Sequence, residues 1–534
     1  MEPVIVAGAG PTGLALSLAL ARHSVPSVVL DATDGGSPPR AARTCVLRRD
    51  TAAHLAVLPG QRWRSWRTER RRHLVERVEL DEETAPLHLE QHTLERALRT
   101  ALEDEQLARV VPHSHVDQLE QDPSGVTVHT RGAAGTWWRG SYAVGCDGAR
   151  STVRKLLGVR FPGHTAVERH AVAAVRVQLP WEDEALLQRD PGGVPGEVTA
   201  RPLAGGIWRL DWLLPPRGDL VTPEELLERV QDTLTLWFEA ADGHGAPGPY
   251  ELVDTGVHTA HQRLARHWRV DRAFLAGDAA HLQGALGVQS VDEGLRDAAN
   301  LAWKLALAWH HGHDDAAATL LDSYEAERRA AVGARLRAVD QALPLVRRGG
   351  GGLRALLPGG GARAHLGLLT DGHLGRGLLG APATYARTPL SPPRGEVTTV
   401  PVGTAPGAPV RDVAVTAADG TRGRLRDWLC GAGGELLVVL IAPGTAVWDS
   451  RHWLSAGMMP SLAAAVDDLP VRATLLVAEG YPDAAAHTVL VVRSDGHLVA
   501  ALPAARPAEL RSCAEAIRGA QPVGGPVGRG NQEP

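Results

Sequence analysis

Residues 4–31 read VIVAGAGPTGLALSLALARHSVPSVVLD, and this stretch decides the fold of the chain. The apolar run at residues 3–7 predicts a short buried strand, residues 11–22 predict a helix, and residues 27–30 predict a second strand. A strand, a helix and a strand in this order form a βαβ unit. The sequence therefore predicts an α/β fold that begins with a nucleotide-binding domain.

The turn after the first strand, Gly8-Ala9-Gly10-Pro11-Thr12-Gly13, has the glycine spacing of a dinucleotide fingerprint. Gly8 permits the tight turn, Gly10 lets the backbone approach a pyrophosphate, and Gly13 allows close helix packing. The helix N-terminus offers free amide groups to the anion, and Asp31 would accept hydrogen bonds from the adenosine ribose. A glycine-rich packing turn is the alternative, but strand, helix and acid all lie at the expected offsets.

Two further turns place an aspartate beside a glycine. Residues 144–154 read VGCDGARSTVR and contain Asp147-Gly148 after a predicted strand. Residues 273–281 read AFLAGDAAH and contain Gly277-Asp278 after another. In isolation, each could be a turn whose aspartate caps a helix.

In this order and spacing, the three motifs resemble those of the para-hydroxybenzoate hydroxylase-like, or class A, FAD-dependent aromatic monooxygenases. The resemblance covers residues 1–340 and includes the helix DEGLRDAANLAWK at residues 292–304. It implies a Rossmann-like FAD-binding domain in which Asp278 contacts the ribityl and pyrophosphate region and the Asp147-Gly148 turn serves both FAD and NAD(P)H. The other FAD contacts that it implies are Gly8, Gly10, Pro11, Thr12, Gly13, Asp31, Arg40, Gln91, Gly277, Gly287, Ser290, Val291 and Asp292.

The loop before that helix departs from the family. Relatives usually read Pro-Pro-Phe-Gly-Gly-Gln-Gly and then Asn, whereas residues 284–290 read GALGVQS and are followed, after Val291, by Asp292. Val288 and Ser290 replace glycines, so we expect the loop to be less free to approach the flavin. Asp292 predicts an N-cap, and its carboxylate would lower the flavin potential if it approached the N(1) edge.

The resemblance also implies a reaction. In such enzymes NADPH or NADH reduces FAD, and molecular oxygen then forms a flavin C(4a)-hydroperoxide that attacks an electron-rich ring. We expect hydroxylation of a polycyclic aromatic, above all a polyketide, or oxygen insertion next to a carbonyl. Two alternatives stay open: a flavin-dependent reductase or dehydrogenase without oxygen transfer, and a non-catalytic flavin-binding partner protein.

The alternating pattern over residues 166–262 predicts an inserted, mainly β substrate domain that covers a mostly apolar pocket. On residues 207–214, Trp208 and Trp212 share one face and Arg209 lies on the other. The two tryptophans are candidates for substrate binding, with packing in the sheet core as the alternative. The candidates for a base are His170, Arg176, Arg201, Arg209 and Tyr250, and the sequence singles out none of them as catalytic.

The rest of the chain predicts further parts. Glycine clusters and a Pro-rich stretch mark residues 345–397 as a partly helical connector. The stretch from Gly407 to Gly496 resembles the thioredoxin-like domain of longer, antibiotic-modifying family members, and we expect this domain at residues 398–522. Without a CxxC pair it cannot run dithiol chemistry. The two segments of the FAD-binding domain are expected at 1–165 and 263–344, and a disordered tail at 523–534.

Composition excludes several other functions. The 534 residues allow two or three domains, and a formal net charge of -5 gives no broad basic field for nucleic acid or anionic lipid. No apolar stretch approaches the roughly 20 residues that cross a bilayer, and no signal peptide is expected, so we expect a cytoplasmic protein. The four scattered cysteines predict no metal site. The expected partners are a small aromatic substrate and molecular oxygen, in a monomer or homodimer.

Overall fold

The computed structural model describes residues 1–520 except 35–38, 54, 56–57, 133–134, 182, 192–195, 216–217, 219–220, 243–247, 313, 348–359, 431–433 and 445–456. Two compact units are present: unit 1 contains Met1–Ala299 and Arg329–Ala381, and unit 2 contains Asn300–Arg328 and Pro382–Pro534. The predicted connector is thus divided between the units. The predicted disordered tail lies outside the described residues.

The N-terminal part of unit 1 confirms the predicted βαβ unit in its first three elements. In chain order the elements are β1 (Val4–Ala7), α1 (Pro11–Arg22), β2 (Ser27–Leu30), β3 (Thr44–Leu47), α2 (Arg49–Ala52), β4 (Gln61–Arg62), β5 (Ser65–Arg70), β6 (His73–Glu79), β7 (Leu87–Glu90), α3 (Gln91–Glu103), β8 (Ala108–Val111), β9 (His115–Asp122), β10 (Gly125–Arg131), β11 (Thr136–Gly140), β12 (Tyr142–Gly145) and α4 (Thr152–Leu156).

The middle of the chain adds a run of strands and then helices. The part of the sixth helix from Asn300 onward and the whole of the seventh helix belong to unit 2. The added elements are β13 (Gly163–Arg176), β14 (Glu184–Arg189), β15 (Glu197–Pro202), β16 (Ile207–Leu214), α5 (Pro223–Asp242), β17 (Glu251–Leu264), β18 (Arg269–Val270), β19 (Ala273–Leu275), β20 (His281–Leu282), α6 (Ser290–His311), α7 (Asp315–Tyr324), α8 (Ala330–Arg347), α9 (Gly360–Leu374) and α10 (Gly377–Gly380).

A six-stranded sheet in the order β18-β19-β12-β1-β2-β8 forms the nucleotide-binding part of unit 1. Strands β1, β2, β8, β12 and β19 are parallel to their neighbours, and only the edge strand β18 is antiparallel. All four residues of β1 are buried, as expected for a central parallel strand covered on both faces. The carboxyl ends of β1, β2 and β12 therefore meet at one edge, where the first two predicted motifs begin.

An eight-stranded sheet in the order β20-β17-β13-β16-β15-β14-β5-β6 forms the second layer of unit 1. The predicted β layer at 166–262 supplies its centre, and the strands β5 and β6 join it through the parallel pairing of β5 with β14. Helix α5 covers one face of this sheet, where Trp208, Leu210 and Trp212 pack with Leu234 and Trp237. The polar side chains of β16 therefore lie on the opposite face.

Unit 2 contains a second α/β arrangement. Its remaining elements are β21 (Ala414–Ala417), β22 (Arg422–Arg424), β23 (Leu436–Ile441), α11 (Met459–Asp467), β24 (Ala473–Ala478), β25 (Val489–Arg493), β26 (Leu498–Leu502) and α12 (Pro507–Ile517). The sheet order is β22-β21-β24-β23-β25-β26, with β23 and β24 parallel and β25 and β26 antiparallel. Helix α11 connects the parallel pair, and α12 follows the hairpin. Among the described residues, no helix has both the length and the apolar character that a membrane span requires.

Candidate functional site

A cavity of about 430 Å³ lies at the carboxyl ends of β1, β2 and β12, and we call it the first cavity. It brings together residues from all three sequence motifs. The predicted cofactor residues that line it are Gly8, Gly10, Pro11, Thr12, Asp31, Gln91, Asp147, Gly148, Asp278, Ser290 and Val291. These residues are far apart in the sequence, but in the fold they line the same cavity.

The three glycines of the first motif differ in their backbone conformation and surroundings. Gly8 has a φ of +105°, and a Cβ atom there would lie 2.5 Å from the carbonyl oxygen of Cys146. A Cβ on Gly13 would lie 2.0 Å from the Gly8 carbonyl oxygen, so this glycine supports the turn and does not line the cavity. Gly10 has no heavy atom within 4 Å of its Cβ position, which leaves open space beside the N-terminus of α1.

Asp31 is held at the end of β2 by partners that the sequence prediction missed. Arg99 of α3 donates from Nη2 to Asp31 Oδ2 over 2.8 Å, and Thr33 donates from its backbone and hydroxyl to Oδ1. A carboxylate has about four acceptor sites. One site therefore remains for a hydroxyl of a ligand such as an adenosine ribose.

Asp147 serves both the local fold and the cavity. Its Oδ2 accepts hydrogen bonds from the backbone nitrogens of Thr152 and Val153, over 2.6 and 3.0 Å, at the start of α4. Oδ2 therefore caps helix α4, as the helix-capping alternative predicts. Its Oδ1 is buried and has no partner in the described part of the chain. An acceptor of this kind in a cavity wall favours a ligand with hydroxyl or amide donors.

The third motif is anchored by helix α6. The Gly277 amide donates to Asp297 Oδ2 over 2.9 Å, and His281 Nε2 lies 2.7 Å from the same oxygen. Gly277 is buried and lines neither cavity, whereas the exposed Asp278 accepts a hydrogen bond from Ser290 Oγ over 2.8 Å. Asp297 is a positioning residue that the sequence motif alone did not assign.

A second cavity, of about 760 Å³, adjoins the first. Strands β13, β15, β16 and β17 line it together with residues 283–284, residues 287–291 and His373. The predicted residues Arg40 and Gly287 line this cavity and not the first. Both cavities share the residues Arg43, Gln91, Glu95, Asp278, Ser290 and Val291.

The tryptophans proposed for substrate binding do not line the second cavity. Trp208 and Trp212 are 5% and 6% exposed and pack beneath helix α5. The indole nitrogen of Trp212 donates to Thr233 Oγ1 over 2.9 Å. Because side chains alternate along a strand, Arg209 and Asp211 line the cavity instead. The expectation of a mostly apolar pocket is therefore wrong at this wall.

The other base candidates are distributed differently. His170 and Arg201 line the second cavity, whereas Arg176 and Tyr250 do not. Arg176 is exposed and pairs with Glu251. His373 also lines the second cavity and stacks on Trp66, with ring centroids 4.9 Å apart. Burial of His373, together with the nearby charge of Arg201, lowers its pKa to about 3.

The loop at residues 284–290 is held by its surroundings. Leu286 has a φ of +57°, and its backbone amide donates to Glu168 Oε2 over 2.9 Å. A Cβ on Gly287 would lie 2.6 Å from the His373 ring, and Val288 is buried in the adjacent core. Contacts within unit 1 therefore hold the loop in place, although Val288 and Ser290 replace two of the glycines that its relatives carry.

Asp292 is not the N-cap that the sequence predicts. Helix α6 begins two residues earlier, at Ser290, so Asp292 lies within the first turn. Its Oδ1 accepts from the Arg48 backbone over 3.0 Å, and its Oδ2 from Arg296 Nε over 3.1 Å. Asp292 lines neither cavity, and Arg296 compensates its charge, so the structure does not support the proposed effect on the flavin potential.

Arg40, which the family resemblance assigns to FAD binding, makes contacts within the protein. Its Nε donates to Asp254 over 3.0 Å and its Nη2 donates to the Thr255 carbonyl over 2.8 Å. This ion pair connects the segment before β3 to strand β17.

Within the described residues, no group of three or more histidine, cysteine or acidic side chains could hold a metal ion.

The family of the chain follows from comparison with known proteins. The family model described as FAD binding domain matches residues 1–339, and the chain belongs to this family. The residues around the first cavity fit FAD, since a helix N-terminus, an acceptor at the end of β2 and an unpartnered buried carboxylate oxygen meet there.

Individual relatives match parts or all of the chain. Rifampicin monooxygenase of Streptomyces venezuelae is 37% identical over 215 residues, which are 39% of this chain and 42% of that protein. The chain therefore spans less than half of this curated relative. The anhydrotetracycline hydroxylase OxyS of Streptomyces rimosus is 25% identical, with a TM-score of 0.65 over 98% of this chain and 100% of that one. The flavin-dependent monooxygenase PieE, solved with FAD and substrate, is 19% identical, with a TM-score of 0.70 over 97% and 99%.

Proposed function

We propose that this protein is an FAD-dependent monooxygenase that uses NADPH or NADH and molecular oxygen to hydroxylate an aromatic substrate. The observation that carries the proposal is the shared wall of the two cavities. Asp278, Ser290 and Val291 line both of them, so a dinucleotide held in the first cavity has direct access to the second. A reducing cofactor and an organic ligand can therefore meet there.

The residues of the first cavity divide the binding of FAD among them. The amide groups at the start of α1 and the space beside Gly10 would hold the pyrophosphate, and Asp31 would accept from the ribose. Asp278 and Ser290, which are hydrogen-bonded to each other, would hold the part of FAD nearest the second cavity. Bound FAD supplies the transfer of electrons from NAD(P)H and the activation of oxygen.

The second cavity would hold the substrate. A volume of about 760 Å³ is within the range of sites for drug-sized ligands. Cys45, Val172 and Val288 contribute apolar surface to this cavity, which would help to keep water from the reacting groups. The names of two relatives refer to rifampicin and anhydrotetracycline, both polycyclic compounds. These names support a polycyclic aromatic substrate, with polyketides as the first compounds to test.

We also propose that unit 2 contains a thioredoxin-like domain. Strand β23, helix α11 and the parallel strand β24, followed by the β25–β26 hairpin and helix α12, have the order expected of a thioredoxin-like domain. Cys430 and Cys513 are buried free thiols far apart in sequence, which supports a packing role in place of redox chemistry. A cytoplasmic location, and a monomer or homodimer, remain predictions of the sequence.

A coupling experiment tests the proposed reaction. Protein saturated with FAD is mixed with NADPH or NADH in oxygenated buffer, with anhydrotetracycline, rifampicin and simple naphthols as probes. Coenzyme oxidation, hydrogen peroxide and product mass are followed together. A monooxygenase gives a product heavier by one oxygen atom in proportion to the coenzyme consumed. Oxidation that yields only hydrogen peroxide with every probe would contradict the proposal and favour a reductase.

A further inference from the structure

The side-chain amide of Gln283 is a buried polar group in the wall of the second cavity. Gln283 follows strand β20 and is 6% exposed, and it lines the second cavity but not the first. Its amide atoms Nε2 and Oε1 are both buried, and neither has a hydrogen-bond partner in the described part of the chain. A buried amide without partners is costly, because it has given up its hydrogen bonds to water. A ligand in the cavity can supply the missing partners.

The residue opposite Gln283 does not supply these hydrogen bonds. Strands β17 and β20 are antiparallel with Arg263 opposite Leu282, so the next opposed positions are Gln262 and Gln283. Gln262 is 3% exposed, and its two amide atoms also lack a partner among the described residues. The two amides therefore do not bond to each other. Of these two glutamines, only Gln283 lines either of the two cavities.

The backbone on both sides of Gln283 is held in place. Leu282 pairs with Arg263 on one side, and the Leu286 amide donates to the buried carboxylate of Glu168 on the other. The Gln283 side chain therefore projects from a fixed position. Such preorganisation lowers the entropic cost of binding a ligand.

The position after Gln283 leaves room for a ligand. Gly284 lines the same cavity, at a position where relatives carry a proline. A Cβ atom on Gly284 would meet only the Ala260 Cβ atom, at 3.7 Å, and His258 Nε2, at 3.9 Å, within 4 Å. Enclosure and the charge of Arg209 lower the pKa of His258 to about 4, so this ring is uncharged near pH 7. The space beside Gln283 is therefore open and faces a neutral polar group.

An amide offers a donor and an acceptor side by side, so a ligand edge satisfies both when it presents an acceptor and a donor in return. The same two-point geometry lets glutamine recognise adenine. We propose that Gln283 determines the specificity of the second cavity by binding an uncharged ring hydroxyl beside a second oxygen substituent. Nε2 donates to one ligand oxygen, and Oε1 accepts from the hydroxyl. The inference rests on the proposed function only in taking this ligand to be the substrate.

The test measures the binding of two uncharged probes to oxidised, FAD-loaded protein without NADPH. 2,3-Dihydroxynaphthalene presents a donor beside an acceptor, whereas 2,3-dimethoxynaphthalene can only accept. Isothermal titration calorimetry at pH 6.5 gives both dissociation constants in wild type and in Gln283→Leu, whose side chain is of similar size and has no hydrogen-bonding group. The ratio of the two constants is compared between the proteins, because the solvation of the free probes then cancels.

We expect Gln283→Leu to raise the dissociation constant of the dihydroxy probe about 10-fold to 100-fold and to change that of the dimethoxy probe less than about threefold. Bound FAD should stay at the wild-type amount, since Gln283 does not line the first cavity. The thermal unfolding midpoint without probe should equal or exceed that of wild type, because an apolar group replaces an unpaired amide. A structural hydrogen bond at Gln283 would instead make the variant less stable.

Gln262→Leu is the matched control. It removes an equally buried, unpartnered amide from the opposed position, but Gln262 lines neither cavity. Both dissociation constants should therefore stay within about twofold of wild type. An equal loss of affinity for the dihydroxy probe in Gln262→Leu and Gln283→Leu would contradict a direct contact from Gln283.

Three further results would overturn the inference. The first is a wild type that does not bind the dihydroxy probe more tightly than the dimethoxy probe. The second is an unchanged ratio in Gln283→Leu when circular dichroism shows the variant folded. The third is a loss of FAD from Gln283→Leu with the preference between the probes unchanged, which would assign the amide to the cofactor. Because no turnover is involved, a failure of oxygenation with positive binding data would contradict the proposed function and leave this inference intact.

Discussion

The backbone amide of Leu286 donates a hydrogen bond to Glu168 Oε2 over 2.9 Å, which joins the loop at the second cavity to strand β13. Glu168 Oε1 also accepts from Arg347 Nε over 2.5 Å. One buried carboxylate thus holds a residue of positive φ and a helix at the same time. The loop, in which Val288 and Ser290 replace two glycines of its relatives, is fixed in this way.

Acid should weaken the fold through Glu168. Burial opposes the ionised form, but His170 and Arg347 outweigh it and lower the pKa of Glu168 from 4.5 to about 2. A lowered carboxylate pKa contributes stability above pH 4.5 that is lost as the pH falls toward 2. Glu168→Gln should therefore remove up to about 3 kcal/mol of this acid-dependent stability.

Urea unfolding at pH 6 and pH 3 measures the effect of Glu168→Gln. We expect the variant to be less stable than wild type at pH 6 and to lose less stability on acidification. Glu251→Gln, at an exposed carboxylate, is the control and should follow the wild-type pH profile. A Glu168→Gln profile parallel to wild type would show that Glu168 does not titrate in this range.

Substitution of two glycines of the first motif should affect different properties, protein stability for Gly8 and FAD binding for Gly10. Gly8→Ala places a Cβ 2.5 Å from the Cys146 carbonyl oxygen at a φ of +105°, so we expect it to destabilise the protein even without FAD. Gly10→Ala meets no protein atom within 4 Å and should leave the thermal stability of the apoprotein unchanged while weakening FAD binding about 10-fold or more. Thermal unfolding and FAD titration of both variants measure this contrast, and equal FAD affinity in Gly10→Ala and wild type would contradict it.

The sequence predicted the turns that line the first cavity, because their signals are local. A strand, a glycine turn and a helix N-terminus occupy residues 4–22, and backbone geometry there depends on neighbours in the sequence. The same holds for the Asp147-Gly148 turn. Arg99 lies 68 residues after its partner Asp31, and Asp297 lies 20 residues after its partner Gly277. No local pattern therefore identified these two partners.

The lining of the second cavity was less predictable from the sequence for a physical reason. Alternation showed that Trp208 and Arg209 lie on opposite faces of β16, but it does not state which face a helix covers. Helix α5 follows β16 in the chain and takes the apolar face, which leaves Arg209 to the cavity. The pairing of β5 with β14 depends on residues more than a hundred positions apart and has no counterpart in the local pattern.

Trp212 offers a test of that assignment. Trp212→Phe removes the hydrogen bond to Thr233 and part of a core contact, so we expect a loss of stability of about 1 to 3 kcal/mol. Binding of an aromatic probe, alizarin, to the FAD-loaded protein should stay within twofold of wild type, since Trp212 does not line the second cavity. Unfolding curves and alizarin titrations measure both quantities. A large loss of probe affinity with normal stability would return Trp212 to the substrate site.

Unit 2 has a buried ionic cluster with no exposed face. Lys304 Nζ lies 2.7 Å from Glu327 Oε2, and Arg493 lies 2.6 Å from Glu327 Oε1. Lys304→Met removes one cation from a buried pair, which typically costs about 3 to 5 kcal/mol. The free energy of unfolding of unit 2, followed by chemical denaturation, should fall accordingly, whereas Lys155→Met at an exposed position should change it little. Equal stability of Lys304→Met and wild type would contradict a structural role.

The proposed function requires that FAD lies in the first cavity and reaches the wall that this cavity shares with the second. A crystal structure of the protein saturated with FAD tests it most directly. We predict the pyrophosphate within hydrogen-bonding distance of the backbone at Gly10 to Thr12, the adenosine ribose at Asp31, and the flavin ring in contact with Val291. An FAD molecule bound elsewhere, or one whose ring does not contact any residue of the second cavity, would contradict the account.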